Sequence, residues 1–299
     1  MSTALVTDST AYLPADLLEG LDVRGVALHV VLGGREHSEG VDVDPAQVAA
    51  ALRSFTPVST SRPAPAAFLD AYRAAADAGA REVVSVHISG DMSSTIGGAE
   101  IAAADSPVPV TVVDSRSMGM AMGYAVLAGA RLAAAGASAA EVAQAVRATC
   151  SAATVVFYVD TLEYLRRGGR IGKAGALLGS ALSIKPILGL RGGHIVPVER
   201  VRTSSRAIAR LEELAVEAAT SLPPGATGVD VAVHHLDSAE RAARLAERLA
   251  ARLGEGVDVR VVELGAVVGA HVGPGTLAVA VVPRVAARGA VGPAGAPAR

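Results

Sequence analysis

Four hydroxyls fall within seven residues, at Ser89, Ser93, Ser94 and Thr95 of the stretch HISGDMSSTIGG (87–98). The stretch follows the apolar run REVVSV, so the hydroxyls lie among glycines where a strand ends. Three chemistries use hydroxyls at such a place: nucleophilic attack, the holding of an anion, and the start of a helix. A hydrolase elbow reads G-x-S-x-G between strand and helix, with a histidine and an acid elsewhere. Gly90-Asp91-Met92-Ser93-Ser94 has the wrong spacing, and none of the seven histidines stands in a partner motif. Because triad members scatter along a chain, a hydrolase or acyltransferase using Ser93 as nucleophile is kept as the alternative reading. Capping needs one hydroxyl only. It is compatible with an anion site, since a helix N-terminus offers unpaired amides and partial positive charge.

A second hydroxyl cluster, SFTPVSTSRPAPAAF (54–68), places Thr60 and Ser61 ahead of Pro63 and Pro65. It reads as an ordinary Ser/Pro turn before a helix, yet it precedes a helix of the same half-sheet, so Thr60 and Ser93 could face one crevice. LRRGGRIGKAG (165–175) is not a P-loop: its spacing is one residue short, and Ala174 stands where Ser or Thr binds magnesium. What remains is a dense basic segment, Arg166, Arg167, Arg170 and Lys173, joined by Arg202 and Arg206 from a later segment. Such a face is ordinarily solvated, and it would also suit an acidic partner or a phosphate. No metal site is expected. His234 and His235 are adjacent and point to opposite faces of a strand, while His87, His194 and His271 stand alone. His271 falls in GAVVGAHVGPGTLAVAV, read as a Gly-punctuated turn between two strands.

The elements that must position these residues follow from the rest of the chain. Its 299 residues are 51% hydrophobic, largely alanine, with 3% aromatics and no tryptophan, which suits small-residue helices packed closely on a sheet. A net charge of −2 gives no pull towards nucleic acid or an anionic membrane. The single cysteine, Cys150, excludes an internal disulfide and fits a reducing compartment. No signal peptide is recognisable, and the longest uncharged apolar stretch, 118–130, is short of the ~20 residues of a membrane helix. A soluble, cytoplasmic protein is expected.

In the first half ALVTD (4–8), VALHVV (26–31), EVVSVHI (82–88) and PVTVVD (109–114) read as strands. Between them PADLLEGL, PAQVAAALRSF, APAAFLDAYRAAADAG and SSTIGGAEIAAA read as helices. This alternation predicts a mainly parallel sheet with ligands at the carboxyl ends of its strands. In the second half an Arg-rich helix and a helix over KAGALLGSAL precede two strands joined by an RGGH hairpin. Helices at 204–219 and 238–252 then alternate with strands VDVAVHH, DVRVVEL and LAVAVV. The expected organisation is an N-terminal α/β domain (1–153), a C-terminal mixed α/β domain (154–283) and a flexible Gly/Pro/Ala tail (284–299).

With these pieces in order, the chain resembles the DegV family of bacterial fatty-acid-binding proteins over residues 3–283. The segments that carry the likeness are VTDSTAYLP, STSRPAPAAF, ISGDMSSTIGGAEIAA and VVDSRSMGMAMGYAV, then YLRRGGRIGKAGALLGSALSIKPIL and GAVVGAHVGPGTLAV. Within them Arg62 and Ala64 replace a Gln and a Ser, and Asp91-Met92 and Ser94 replace Gly-Leu and a Gly. The resemblance implies two α/β domains, the N-terminal one Rossmann-like, with a fatty acid between them. Its carboxylate would be held by Thr60, with Ser61 beside it, and by Ser93, with His271 ordering the head-group region. It implies further that the protein is a non-catalytic acyl carrier presenting the carboxylate to an ATP-dependent fatty acid kinase for phospholipid synthesis. That kinase would dock at Arg170, Lys173 and Arg202. No cofactor, no metal, no nucleic acid and at most transient contact with a membrane surface are implied.

Burying a C16 chain contributes on the order of 10 kcal/mol before ordering costs, which requires an apolar tunnel. ALLGSALSIKPILGL (176–190) and MGMAMGYAVL (118–127) are the stretches placed along it, although most of their residues serve equally as plain core. The carboxylate must lose water at a cost of several kcal/mol unless donors replace it, and two hydroxyls beside a helix start would supply charge-assisted bonds.

Overall fold

The computed structural model describes residues 2–177 and 184–285. Four strands form a wholly parallel sheet in the order β2-β1-β6-β7: β1 (Thr3–Asp8), β2 (Val23–Val26), β6 (Glu82–His87) and β7 (Val110–Asp114). Alternate residues of these strands serve two cores. Ala4, Val6 and Val83 pack with Phe68 and Tyr72 of α2 (Pro65–Asp77) and with Ala99 of α3 (Thr95–Ala104). Leu5, Val84 and Val86 pack on the other face against α4 (Gly119–Ala134) and α5 (Ala139–Ala152). Burial on both faces is why these strands read as continuous apolar runs rather than as alternating ones.

Six strands form a mixed sheet, β10-β9-β8-β13-β11-β12. They are β8 (Thr154–Tyr158), β9 (Lys185–Arg191), β10 (His194–Val201), β11 (Ala226–His235), β12 (Val259–Glu263) and β13 (Leu277–Val285). Only β11 and β12, joined by α8 (Ala239–Leu253), run parallel. α7 (Ser204–Thr220) and α8 cover one face, where Leu211, Leu245 and Leu249 meet Val231 and Val279. The other face turns towards the first half of the chain. Met120, Leu127 and Leu13 pack there on Ala232, Ala280 and Val282, while Tyr12 and Met118 pack beside Phe157, Val268 and Val272. The two sheets therefore share an apolar contact zone, and the candidate site lies in it.

Local chemistry sets the helix starts. Asp44 and Gln47 form a reciprocal capping box at α1 (Pro45–Arg53), as Ser138 and Glu141 do at α5. Pro45 and Pro65 open α1 and α2 at positions that need no amide.

Several sequence expectations are corrected. VALHVV is not one strand: β2 ends at Val26, and β3 (His29–Leu32) begins a separate antiparallel sheet with β4 (Arg35–Ser38) and β5 (Val58–Ser61). Leu28 marks the break because its amide bonds Ser9 Oγ (3.1 Å) and its carbonyl accepts from Glu39 N (2.8 Å), which takes it out of both ladders. The cluster around Thr60 and Ser61 is accordingly strand β5, not a turn. PADLLEGL holds only a 3₁₀ turn, Ala15–Leu18. KAGALLGSAL has a 3₁₀ turn at Gly172–Leu177, and its continuation over 178–183 lies outside the described residues. His271 sits in a helix, α9 (Ala266–Val272), not in a turn between strands. Arg284 and Val285, assigned to a flexible tail, extend β13, and Arg284 Nε donates to Asp230 (2.9 Å); residues 286–299 lie outside the described residues.

Candidate functional site

The four hydroxyls of the opening stretch turn out to have different tasks. Ser89 is fully buried, and its Oγ donates to the Gly193 carbonyl (3.0 Å), latching the β9–β10 hairpin to the end of β6. Gly193 accepts this contact only as glycine: its φ is +89°, and a Cβ there would lie 2.7 Å from Ser89 Oγ. Ser93 Oγ and Thr95 Oγ1 bond each other (2.8 Å), and Ser93 Oγ also receives the Thr95 amide (3.3 Å), opening α3. Ser94, at the formal N-cap position, makes no side-chain cap bond.

Ser93 lines a cavity of about 110 Å³ with Thr60, His271 and Arg170. Strand β5 carries Thr60, the α3 start carries Ser93, and α9 carries His271 in its last turn. Arg170 follows α6 (Glu163–Arg167). Thr60 Oγ1 and His271 Nε2 are 2.9 Å apart, while His271 Nδ1 is buried with no partner among the described residues. Burial, aided by the Arg170 charge, pushes the His271 imidazole down to about 4, so it stays neutral at physiological pH. Arg170 is anchored through Nε to the Met92 carbonyl (3.0 Å) and through Nη1 to that of Gly168 (2.6 Å). The polar end thus combines the hydroxyls of Thr60 and Ser93, a neutral imidazole, the guanidinium groups of Arg170 and Arg62, and a helix start, an arrangement suited to an anion.

Beyond this polar end, which Ser61 and Ser94 also border, the walls are apolar: Leu28, Ile88, Met118, Leu165, Ile195 and Val268 among them. Four residues, Met118, Ile195, Val268 and Val272, also wall a second cavity of about 50 Å³, lined further by Val155, Phe157 and Leu190. A polar head and an apolar passage therefore share one continuous wall.

The structure brings Thr60, Ser93 and His271 together, as expected. Ser61 borders the same cavity, but its hydroxyl donates to Glu36 Oε2 (2.7 Å) on β4, across the central strand β3 of that sheet. Arg170, assigned from the sequence to partner docking, belongs to the cavity itself, whereas Lys173 and Arg202 are exposed and do not border it. Asp91 points away: its carboxylate lies 3.3 Å from His194 Nε2 and 3.7 Å from Arg116 Nη2. Of the described residues in the two stretches placed along the tunnel, Met118, Gly119 and Leu190 border the cavities, while Met120, Met122 and Leu127 are buried in cores and Ile187 faces the α7 side; 178–183 lie outside the described residues.

Two networks had no sequence signal. Glu39, 6% exposed, accepts from the Val267 amide at the start of α9 (2.8 Å) and from Ser9 Oγ, with Tyr12 Oη at 3.4 Å. Desolvation raises its carboxyl above the ordinary range. Asp8, His87 and Ser85 form a chain of bonds, His87 Nδ1 to Asp8 Oδ2 (3.1 Å) and His87 Nε2 to Ser85 Oγ (2.7 Å). His87 is thus not alone, yet all three residues are buried and border none of the cavities described, so the set ties β1 to β6. Among the described residues Ser93 Oγ bonds Thr95 and no histidine, so the hydrogen-bonded base of a serine nucleophile is not formed there. Among the described residues no helix is long and apolar enough to cross a membrane, and no group of His, Cys, Asp and Glu could hold a metal ion.

The sequence model of a family described as "Uncharacterised protein, DegV family" matches residues 2–284. A DegV domain-containing protein of Streptomyces coelicolor is 50% identical over 278 residues, covering 93% of this chain and 97% of its own length. Protein DegV of Bacillus subtilis is 34% identical over 283 residues, covering 93% and 98%. Among solved structures, one described as showing fatty acid binding of a DegV family protein from Thermus thermophilus superposes with a TM-score of 0.87 at 35% identity, covering 95% of this chain and all of the other. The crystal structure of DegV, a fatty acid binding protein from Bacillus subtilis, superposes with a TM-score of 0.85 at 31% identity, covering 95% and 99%. Matched from its second residue through its last described strand, and in fold as well as in sequence, this chain belongs to the DegV family.

Proposed function

We propose that the protein binds one long-chain fatty acid, carboxylate at Thr60 and Ser93 and acyl chain in the apolar passage behind them. The observation that carries this is the single wall of Met118, Ile195, Val268 and Val272, which joins the polar head to the apolar cavity. Arg170 supplies the charge that offsets the desolvation of the carboxylate, and the neutral His271 holds Thr60 in place. The structural relatives from Thermus thermophilus and Bacillus subtilis, described as fatty acid binding, support the ligand class. The bound acid is handed over rather than transformed: the protein is an acyl carrier presenting its carboxylate to an ATP-dependent fatty acid kinase, with Lys173 and Arg202 on the docking face beside Arg170. Residues 1–153 and 154–283 act as the two domains that hold the ligand between them.

The test is native and denaturing mass spectrometry of the purified protein. A stoichiometric fatty acid released only on denaturation is expected. A protein that is empty and also fails to take up added fatty acid overturns the reading. For the transfer step, ATP and a DegV-partner kinase should convert the bound acid to its acyl-phosphate; failure with loaded protein removes the kinase assignment alone.

A further inference from the structure

The apolar passage has a second neighbour. Val155 and Leu190 face each other as a direct cross-strand pair on β8 and β9, and both are only partly buried. On one side they wall the apolar cavity; on the other they border an open groove of about 710 Å³. Among the described residues they are the ones common to both spaces, so one pair of aliphatic side chains stands between the chain site and the groove.

The groove differs in character from the passage. It carries Arg116, Arg147 and Arg191 against Glu100 and Asp114. Arg147 and Arg191 have no ion pair among the described residues. Arg116 is held by the Gly192 carbonyl and lies 3.7 Å from Asp91. Asp114 Oδ1 is taken by the amides of Gly90 (3.2 Å) and Arg116 (2.8 Å). Two guanidinium groups are therefore free to meet an anion at the far end of an apolar path whose near end also suits one. An apolar channel closed at its tip would have to strip water from a second carboxylate with nothing to replace it. Arginine forks at an open tip replace that water with bidentate bonds.

Resting on the fatty-acid reading above, we propose that the ligand class extends to long-chain α,ω-dicarboxylic acids. One carboxylate sits at Thr60 and Ser93, the chain passes over the paired side chains of Val155 and Leu190, and the second carboxylate meets Arg147 and Arg191.

The test compares hexadecanoic with hexadecanedioic acid by displacement of a fluorescent fatty acid, on the full chain and on an Arg147→Ala/Arg191→Ala variant. Both arginines are exposed and remote from the head-group hydroxyls, so the variant keeps its fold, which circular dichroism checks. The dicarboxylic acid should bind the full chain within about tenfold of the monocarboxylic acid. The variant should lose about tenfold or more for the dicarboxylic acid while holding the monocarboxylic acid unchanged. A dicarboxylic acid more than about tenfold weaker on the full chain, or equally bound by the variant, overturns the proposal and leaves the fatty-acid reading standing. If neither acid binds, the fatty-acid reading itself has failed and this extension with it.

Discussion

Thr60 and Ser93 are separated by 33 positions, and each belongs to a stretch that is unremarkable alone; a Ser/Pro segment and a helix start are common. What makes them a pair is that both border one cavity with a cation and a neutral imidazole. A donor lost from a charged acceptor costs about 1.5–3 kcal/mol, roughly 10- to 150-fold in affinity. Thr60→Ala and Ser93→Ala should each weaken fatty-acid binding by that factor, measured by displacement of a fluorescent analogue. Ser61→Ala should change it by less than about threefold, because its hydroxyl is committed to Glu36. Titration offers a second test. Burial pushes His234 and His271 down to about 4 from an ordinary value near 6.5, so between these values the unfolded chain binds more protons than the folded one. Stability is then whole above pH ~6.5 and falls as pH drops, by about 1.4 kcal/mol per pH unit for each histidine. Glu39, raised by burial, works the other way with a single group. The urea midpoint should fall from pH 7 to pH 5, and a flat profile would contradict the burial of the two imidazoles.

At the scale of elements, α9 decides where His271 stands. The helix has seven residues, too few to hold itself, so its position comes from its surroundings. Glu39 takes the Val267 amide at one end, and Gly265 leaves room for it, since a Cβ there would fall 2.2 Å from Glu39 Oε1. At the other end Gly168, the C-cap of α6, lies so close that an added Cβ would sit 2.1 Å from His271 Nδ1. Gly168 has φ −73°, so alanine meets no backbone penalty there and the clash acts alone. Gly168→Ala should displace the imidazole, cost about 1–3 kcal/mol and reduce fatty-acid retention, read by thermal melting and mass spectrometry. Glu39→Ala should cost about 1.5–3 kcal/mol and weaken binding without touching ligand, while Glu39→Gln retains an acceptor for Val267 and loses less; equal losses would show that charge, not position, is what Glu39 provides. None of this was legible in the sequence. Glu39 is one of four acids in REHSEGVDVD (35–44) with nothing to single it out, and the glycines around His271 read as a turn because a seven-residue helix leaves too little periodicity to detect.

For the whole molecule, each part of the polar end comes from a different stretch: Thr60 and Ser93 from the first 114 residues, Arg170 and His271 from the last 146. Fragments 1–153 and 154–285 should bind no fatty acid singly, and mixing them should restore binding only if the apolar contact between Met120, Leu127 and Ala280 reforms. Retention by either fragment alone would disprove a site between the two sheets. Ligand should also stabilise the intact chain by about 2.7 kcal/mol at a hundredfold excess over Kd, a rise in melting temperature of roughly 4–5 °C.

The sequence by itself determined the strand–helix alternation of both halves, the mixed character of the second sheet, the helix starts at Pro45 and Pro65, and the family, because these depend on local propensity and on motifs of a few adjacent residues. Tertiary structure alone decided the rest. It split VALHVV between two sheets through the bonds of Leu28, turned Asp91 to Arg116 and His194 and away from the cavity, and moved Arg170 from the docking face into the site. It also made His87 part of a buried chain with Asp8, 79 positions away. Each of these outcomes is a hydrogen bond or a charge pair between segments distant in the chain, and no local pattern encodes a partner that only folding brings near.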